Sequence, residues 1–180
     1  MVYILLGTGF EEIEALAPCD LLRRAGAEVA LVGVNGMEVV GSHGIAVRTD
    51  LPLDAVHLEN LEMLVLPGGL RGVESLLHCK AALELTKRAW KEGKYVCAIC
   101  AAPTILAKLG IVGDAPATCY PGKEGEMGEA KMCSTAVVQA GKLITGRSAG
   151  SALDFALTLI EALKGTDEAR RIAKQIVYER

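Results

Sequence analysis

The chain has 180 residues, 51% of them hydrophobic but only 4% aromatic, and a formal net charge of −3. That length suits one domain, residues 1–180, with a full-sized aliphatic core. The charge, with no basic run, excludes the electrostatic footprint of a nucleic-acid binder.

The opening "MVYILLGTGFEE" is apolar too briefly for a signal peptide, and no stretch reaches membrane-spanning length. The six cysteines (Cys19, Cys79, Cys97, Cys100, Cys119, Cys133) are therefore expected as reduced thiols in the cytoplasm rather than as a disulfide framework.

Residues 2–6, "VYILL", predict a strand buried on both faces and closed by Gly7. A helix follows through "EEIEALAPCDLLRRAGA", kinked or restarted at Pro18 and stopped at Gly26. "EVALVGV" is the next strand, and "MEVVGSHGIAVRTD" predicts a hairpin at a sheet edge. "LEMLVLPGG" is a buried strand ending in a glycine pair. An amphipathic helix covers about 80–92, stopped by Gly93. "KYVCAI" is strand-like and "AAPTILAKLG" helix-like, and "STAVVQAGKLITG" predicts a hairpin around Ala140-Gly141. Two helices end the chain, one capped by Ser151 and a short one capped by Thr166 or Asp167. Alternating strands and helices predict one doubly wound α/β domain, a mostly parallel sheet with helices on both faces. Ligands in such sheets bind beyond the carboxyl ends of the strands. That points to segments 7–14, 67–72, 100–103, 118–122 and 146–151.

Cys97 and Cys100 form a C-x-x-C, which could be a redox pair, half of a metal site, or a core cysteine beside a nucleophile. On an extended strand their Cα atoms would lie about 10 Å apart, beyond the roughly 7 Å that a disulfide spans. No second C-x-x-C or His-rich tract supplies further metal ligands. Cys97 is expected in the core. Cys100 falls where strand becomes helix, with small Ala101 and Ala102 permitting a sharp turn, which is the mechanics of a nucleophile elbow. A helix N-terminus there is expected to lower its thiol pKa. The alternative is another buried structural cysteine.

"GTGFEEIE" lacks the third glycine of a dinucleotide site, and its carboxylates would repel phosphate. Glu14 is either a solvated acid at a helix start or a carboxyl turned toward Cys100. The backbone N–H groups of Gly69 and Ala101 are candidate oxyanion donors. His43, His57 and His78 all precede Cys100, so no Cys-His pair using a later loop exists.

Taken together, Glu14, "LVLPGG", "AICAAPTIL" and "LITGRSAGSALDFAL" resemble the ThiJ/PfpI family over essentially the whole chain, closest to its parkinsonism-associated branch. The resemblance implies a flavodoxin-like fold, a homodimer, and a reactive cysteine at Cys100. It further implies a protonated glutamate at Glu14 that hydrogen-bonds the sulfur, and an arginine at Arg24 that helps form an anion pocket. Protease-like relatives carry histidine after the cysteine, where this chain has Ala101, so peptidase activity is not expected. The branch's loop histidine is replaced by Tyr120, and the hairpin that carries an arginine in some relatives reads Ser42-His43-Gly44.

The activity so implied is deglycase or cofactor-independent glyoxalase chemistry through the Cys100 thiolate, on a small reactive carbonyl or a glycated protein. It calls for no cofactor, metal, nucleic acid or membrane. The alternative is a redox-responsive stress protein or chaperone that senses oxidation at Cys100 without turnover.

Overall fold

The computed structural model describes residues 1–179. In chain order the elements are β1 (Val2–Leu6), α1 (Glu12–Arg24), β2 (Val29–Gly33), β3 (Glu38–Val40), β4 (Ala46–Arg48), β5 (Leu51–Pro52) and β6 (Met63–Leu66). Then follow α2 (Leu70–His78), α3 (Lys80–Lys91), β7 (Tyr95–Ile99), α4 (Pro103–Lys108), β8 (Pro116–Ala117) and β9 (Lys131–Met132). The last are β10 (Val137–Ala140), β11 (Leu143–Gly146), α5 (Ala152–Lys164) and α6 (Thr166–Gln175).

The central sheet runs β10-β11-β7-β6-β1-β2-β5 and is parallel except for β10, which pairs antiparallel with β11. β1 and β6 are buried along their whole length, as an apolar run between two helical layers requires. The two strands are parallel, and it is the strand order that reverses between them. β1 crosses over to β2 on one side and β6 to β7 on the other, so right-handed crossovers put the intervening helices on opposite faces. α1 packs with α5 on one face, and α3 and α4 lie against β6 and β7 on the other. The switch point is thus the β1/β6 junction, with β7 beside it, and the ends of these three strands carry the site.

Several local expectations change. α1 is continuous through Pro18, because proline removes one hydrogen-bond donor without preventing helical φ and ψ. The predicted edge hairpin forms a separate two-stranded sheet, β3–β4, and the two-residue β5 is the edge of the main sheet. Helix α2 was not expected after the glycine pair. Gly69 is its N-cap, with φ +85. Gly165, rather than Thr166 or Asp167, caps α6. Ser151 precedes α5 as expected, but its hydroxyl serves the preceding turn, accepting from the Ser148 N–H at 3.0 Å and donating to the Ser148 carbonyl at 2.8 Å.

Candidate active site

Cys100 follows directly on β7 and has φ +66, in the left-handed region that side chains rarely adopt. Its N–H donates to the Gly146 carbonyl at 2.9 Å and its carbonyl accepts from the Tyr120 N–H at 2.7 Å. These bonds tie the turn to the end of β11 and to the 118–122 loop. Holding a non-glycine residue there costs about 1–3 kcal/mol, and the two bonds help to over-determine the geometry.

Glu14 lies in the first turn of α1 and is fully buried. The Glu11 carboxylate caps that turn by accepting from the Glu14 N–H at 2.8 Å. Glu14 Oε2 accepts from the Gly68 N–H at 2.9 Å, whereas Oε1 is buried without a well-aligned partner among the described residues. The Cys100 thiol and the Ala149 N–H also act on this carboxyl. A buried carboxylate oxygen with no firm partner is costly, but a carboxylic acid that donates toward sulfur is not. Burial accordingly pushes Glu14 up to about 7, aided by the charge of Glu11 and opposed by Cys100 and the two N–H groups.

Burial, then the charge and hydrogen bonding of Glu14, push the Cys100 thiol up to about 12, while the N–H groups of Gly69 and Ala101 act the other way. This reverses the expectation of a thiol pKa lowered by a helix N-terminus. α4 has only six residues and starts three positions later, and the thiol is enclosed beside a carboxyl. Two of the three raising influences come from Glu14, and its charge acts only while Glu14 is ionised. The two groups are therefore coupled: an ionised Glu14 holds the thiol up, and protonation of Glu14 removes that charge. A proton moved from the sulfur to Glu14 leaves a thiolate facing the N–H groups of Gly69 and Ala101.

The glycine pair makes this contact possible. A Cβ on Gly68 would lie 2.5 Å from Glu14 Oε2 and 2.7 Å from Cys100 Cβ. A Cβ on Gly69 would lie 2.5 Å from the Gly9 carbonyl.

The structure thus brings together Cys100, Glu14, Gly69 and Ala101. Tyr120 joins through its backbone, with its side chain 47% exposed. Arg24 does not join. It is in the last turn of the helix whose first turn holds Glu14, about 15 Å further along the axis, and pairs with Asp20 at 2.8 Å. Within this chain Arg24 therefore does not line the Cys100 site. Gly146 and Ala149 were covered only as part of an expected segment, because backbone groups carry no residue-type signal.

Glu12 went unrecognised as well. Read as part of an acidic helix start, it is only 5% exposed and accepts from the His43 N–H at 2.7 Å and the Ser42 hydroxyl at 3.1 Å, and pairs with His43 Nδ1 at 2.8 Å. Burial works against its charge, but these bonds outweigh it and hold Glu12 at about 2, while Glu12 raises His43. The effect is to pin the β3–β4 turn against the start of α1. Glu11, Glu12 and His43 each place a possible metal-ligand atom within 4.8 Å of the others. The Glu12 oxygens are already engaged by the hairpin, so the group reads as a latch.

All six cysteines are free thiols. Cys97 is fully buried in β7, and burial drives its thiol well up. No described helix is long and apolar enough to cross a membrane.

Residues 1–162 match the model of the DJ-1/PfpI family. Among curated proteins, the chain is 34% identical to the Parkinson disease protein 7 homolog of Danio rerio, over 98% of this chain and 96% of that protein. It is 32% identical to the glutathione-independent glyoxalase DJR-1.2 of Caenorhabditis elegans, over 92% of this chain and 89% of that one. Among solved structures, Drosophila melanogaster DJ-1beta superposes with a TM-score of 0.95 at 33% identity, covering 99% and 98% of the two chains. Oxidized Toxoplasma gondii DJ-1 gives the same TM-score, identity and coverage.

Proposed function

The chain belongs to the DJ-1/PfpI family, and from that membership and the Glu14–Cys100 geometry we propose a cysteine-dependent enzyme acting on reactive dicarbonyls or their protein adducts in the cytoplasm. The observation that carries the reading is a fully buried carboxyl, held near neutrality, beside a cysteine at φ +66. With methylglyoxal, the Cys100 thiolate adds to the aldehyde carbon and forms a hemithioacetal. The carbinol proton then moves to the neighbouring carbon by way of Glu14, leaving a thioester, and water releases lactate and the free thiol. The N–H groups of Gly69 and Ala101, which act on the sulfur, are the donors for charge that develops on the adduct oxygen. No step draws on a cofactor. A C. elegans relative named a glutathione-independent glyoxalase supports the substrate class.

We also infer a homodimer. Ile13 on α1 and Val40 and Ile45 on the hairpin are exposed on either side of the Glu12 latch, an apolar surface suited to a second copy.

Lactate formation from methylglyoxal by wild type and Cys100→Ser is the test. Turnover that Cys100→Ser abolishes supports the reading, whereas equal activity in both proteins overturns it. A second reading is a redox-responsive protein whose Cys100 is oxidised to a sulfinate. The donors beside the sulfur favour it, because they would bind sulfinate oxygens as well as a thiolate. Absent turnover, with peroxide oxidising Cys100 before the other thiols, would select it.

A further inference from the structure

Two helices leave the candidate site side by side. α2 is capped by Gly69 and α4 by Ala102, so both start at the residues that flank Cys100. Between them runs an open groove of about 270 Å³. Its inner end is Ala101, whose N–H acts on the Cys100 sulfur. Leu70, Val73 and Leu77 form an apolar wall along α2, and Lys108 and Lys123 stand toward the far end, both paired with Glu126. Leu70 is 68% exposed at the groove's start, next to the N-cap glycine. A water-sized group takes roughly 30 Å³, so the methyl of methylglyoxal fills only a small part of this space.

We propose that the groove is a substrate subsite that takes an aliphatic chain carried by the dicarbonyl, so that the preferred substrates are 2-oxoaldehydes longer than methylglyoxal. The argument is continuity. Leu70 follows Gly69 and Ala101 follows Cys100, and both line the groove, so it begins next to the two N–H donors and the substituent of a carbonyl bonded to Cys100 would have an apolar wall to follow. The two lysines share Glu126, and Glu74, which also lines the groove, balances the remaining charge, so no anionic tail is called for. This inference rests on Cys100 being the reacting group.

Two series test it. In steady state, kcat/KM for straight-chain 2-oxoaldehydes of three to six carbons should rise about fourfold per added methylene that the groove buries. Leu77→Lys, which puts a charge on the wall, should flatten that rise. Independently of turnover, N-alkyl iodoacetamides should alkylate Cys100 faster as the chain lengthens, relative to the half-buried Cys133, with the same flattening in Leu77→Lys. Flat series in wild type overturn the subsite. So does a Leu77→Lys protein whose oligomeric state changes while its chain-length series does not, because the groove would then be an interface. If no 2-oxoaldehyde is turned over, the catalytic reading fails, and the alkylation series still decides the groove.

Discussion

Glu14 Oε2 accepts the Gly68 N–H at 2.9 Å, and that bond, from the backbone just beyond β6, leaves the other carboxyl oxygen in the buried space shared with Cys100. A side chain is thereby oriented by a neighbouring strand end. The Glu14–Cys100 pair depends on this orientation as much as on either residue.

The role of the shared proton is tested by two substitutions of Glu14. Glu14→Gln keeps a neutral donor next to the sulfur, while Glu14→Leu removes it. The thiol of Glu14→Gln should titrate lower than that of Glu14→Leu, each unit corresponding to about 1.4 kcal/mol. Thiolate absorbance against pH measures both. Equal values would show that Glu14 does not donate to Cys100.

Burial of Glu14 also predicts a pH dependence of stability. Its folded pKa, about 7, lies above the unfolded value of 4.5. Its contribution is therefore fully present below pH 4.5 and is lost as pH rises through about 7. Over that window wild type should lose up to about 3 kcal/mol relative to Glu14→Gln, which carries no charge to bury. Denaturant unfolding of both proteins at the two ends of the window reads the difference directly.

Gly68→Ala should separate site geometry from fold. Its Cβ would press on Glu14 Oε2 and Cys100 Cβ, costing about 1–3 kcal/mol by overpacking and disturbing the pair. We expect a folded protein with a lower midpoint in thermal unfolding and a loss of dicarbonyl turnover far larger than that stability change accounts for.

Thiol labelling should follow the environments of the cysteines. Burial and the raised thiol alone would make Cys100 slow, but the proposed transfer of its proton to Glu14 supplies thiolate, so limited iodoacetamide treatment near neutral pH, mapped by peptide, should modify Cys100 first. The half-buried Cys79 and Cys133 should follow, and Cys97 only on unfolding. Non-reduced digests of native protein should contain no Cys97–Cys100 crosslink. Cys133 labelling ahead of Cys100 would move the nucleophile elsewhere.

By the sequence resemblance Tyr120 stands where a loop histidine is expected, and its N–H is bonded to the Cys100 carbonyl. A positioned acid–base group contributes about a hundredfold to ten-thousandfold, and histidine is the side chain suited to that role near neutral pH. Wild type should therefore be slow with methylglyoxal, and Tyr120→His faster. An unchanged rate would leave Glu14 as the sole proton carrier.

The layered α/β fold was legible in the sequence because buried parallel strands read as short apolar runs ended by glycine, and "VYILL" and "MLVL" are such runs. Cys100 was legible for a related reason: a cysteine followed by two alanines marks the place where strand becomes helix. What the linear chain did not contain is how far each side chain stands from groups distant in sequence. Glu12 and Glu14 are two residues apart on one helix turn, yet one is held at about 2 by a hairpin thirty positions away, and the other is pushed up to about 7 by burial against the pull of a strand-end N–H and a thiol. Arg24, ten residues on, pairs with Asp20 instead. The direction of the Cys100 pKa turned on the same thing, since helix position argued for lowering it while enclosure next to a carboxyl raised it. Local pattern sets the elements, because hydrophobic period and glycine placement act over a few residues. Charge state is set by desolvation and contact, which exist only once the strand ends have converged.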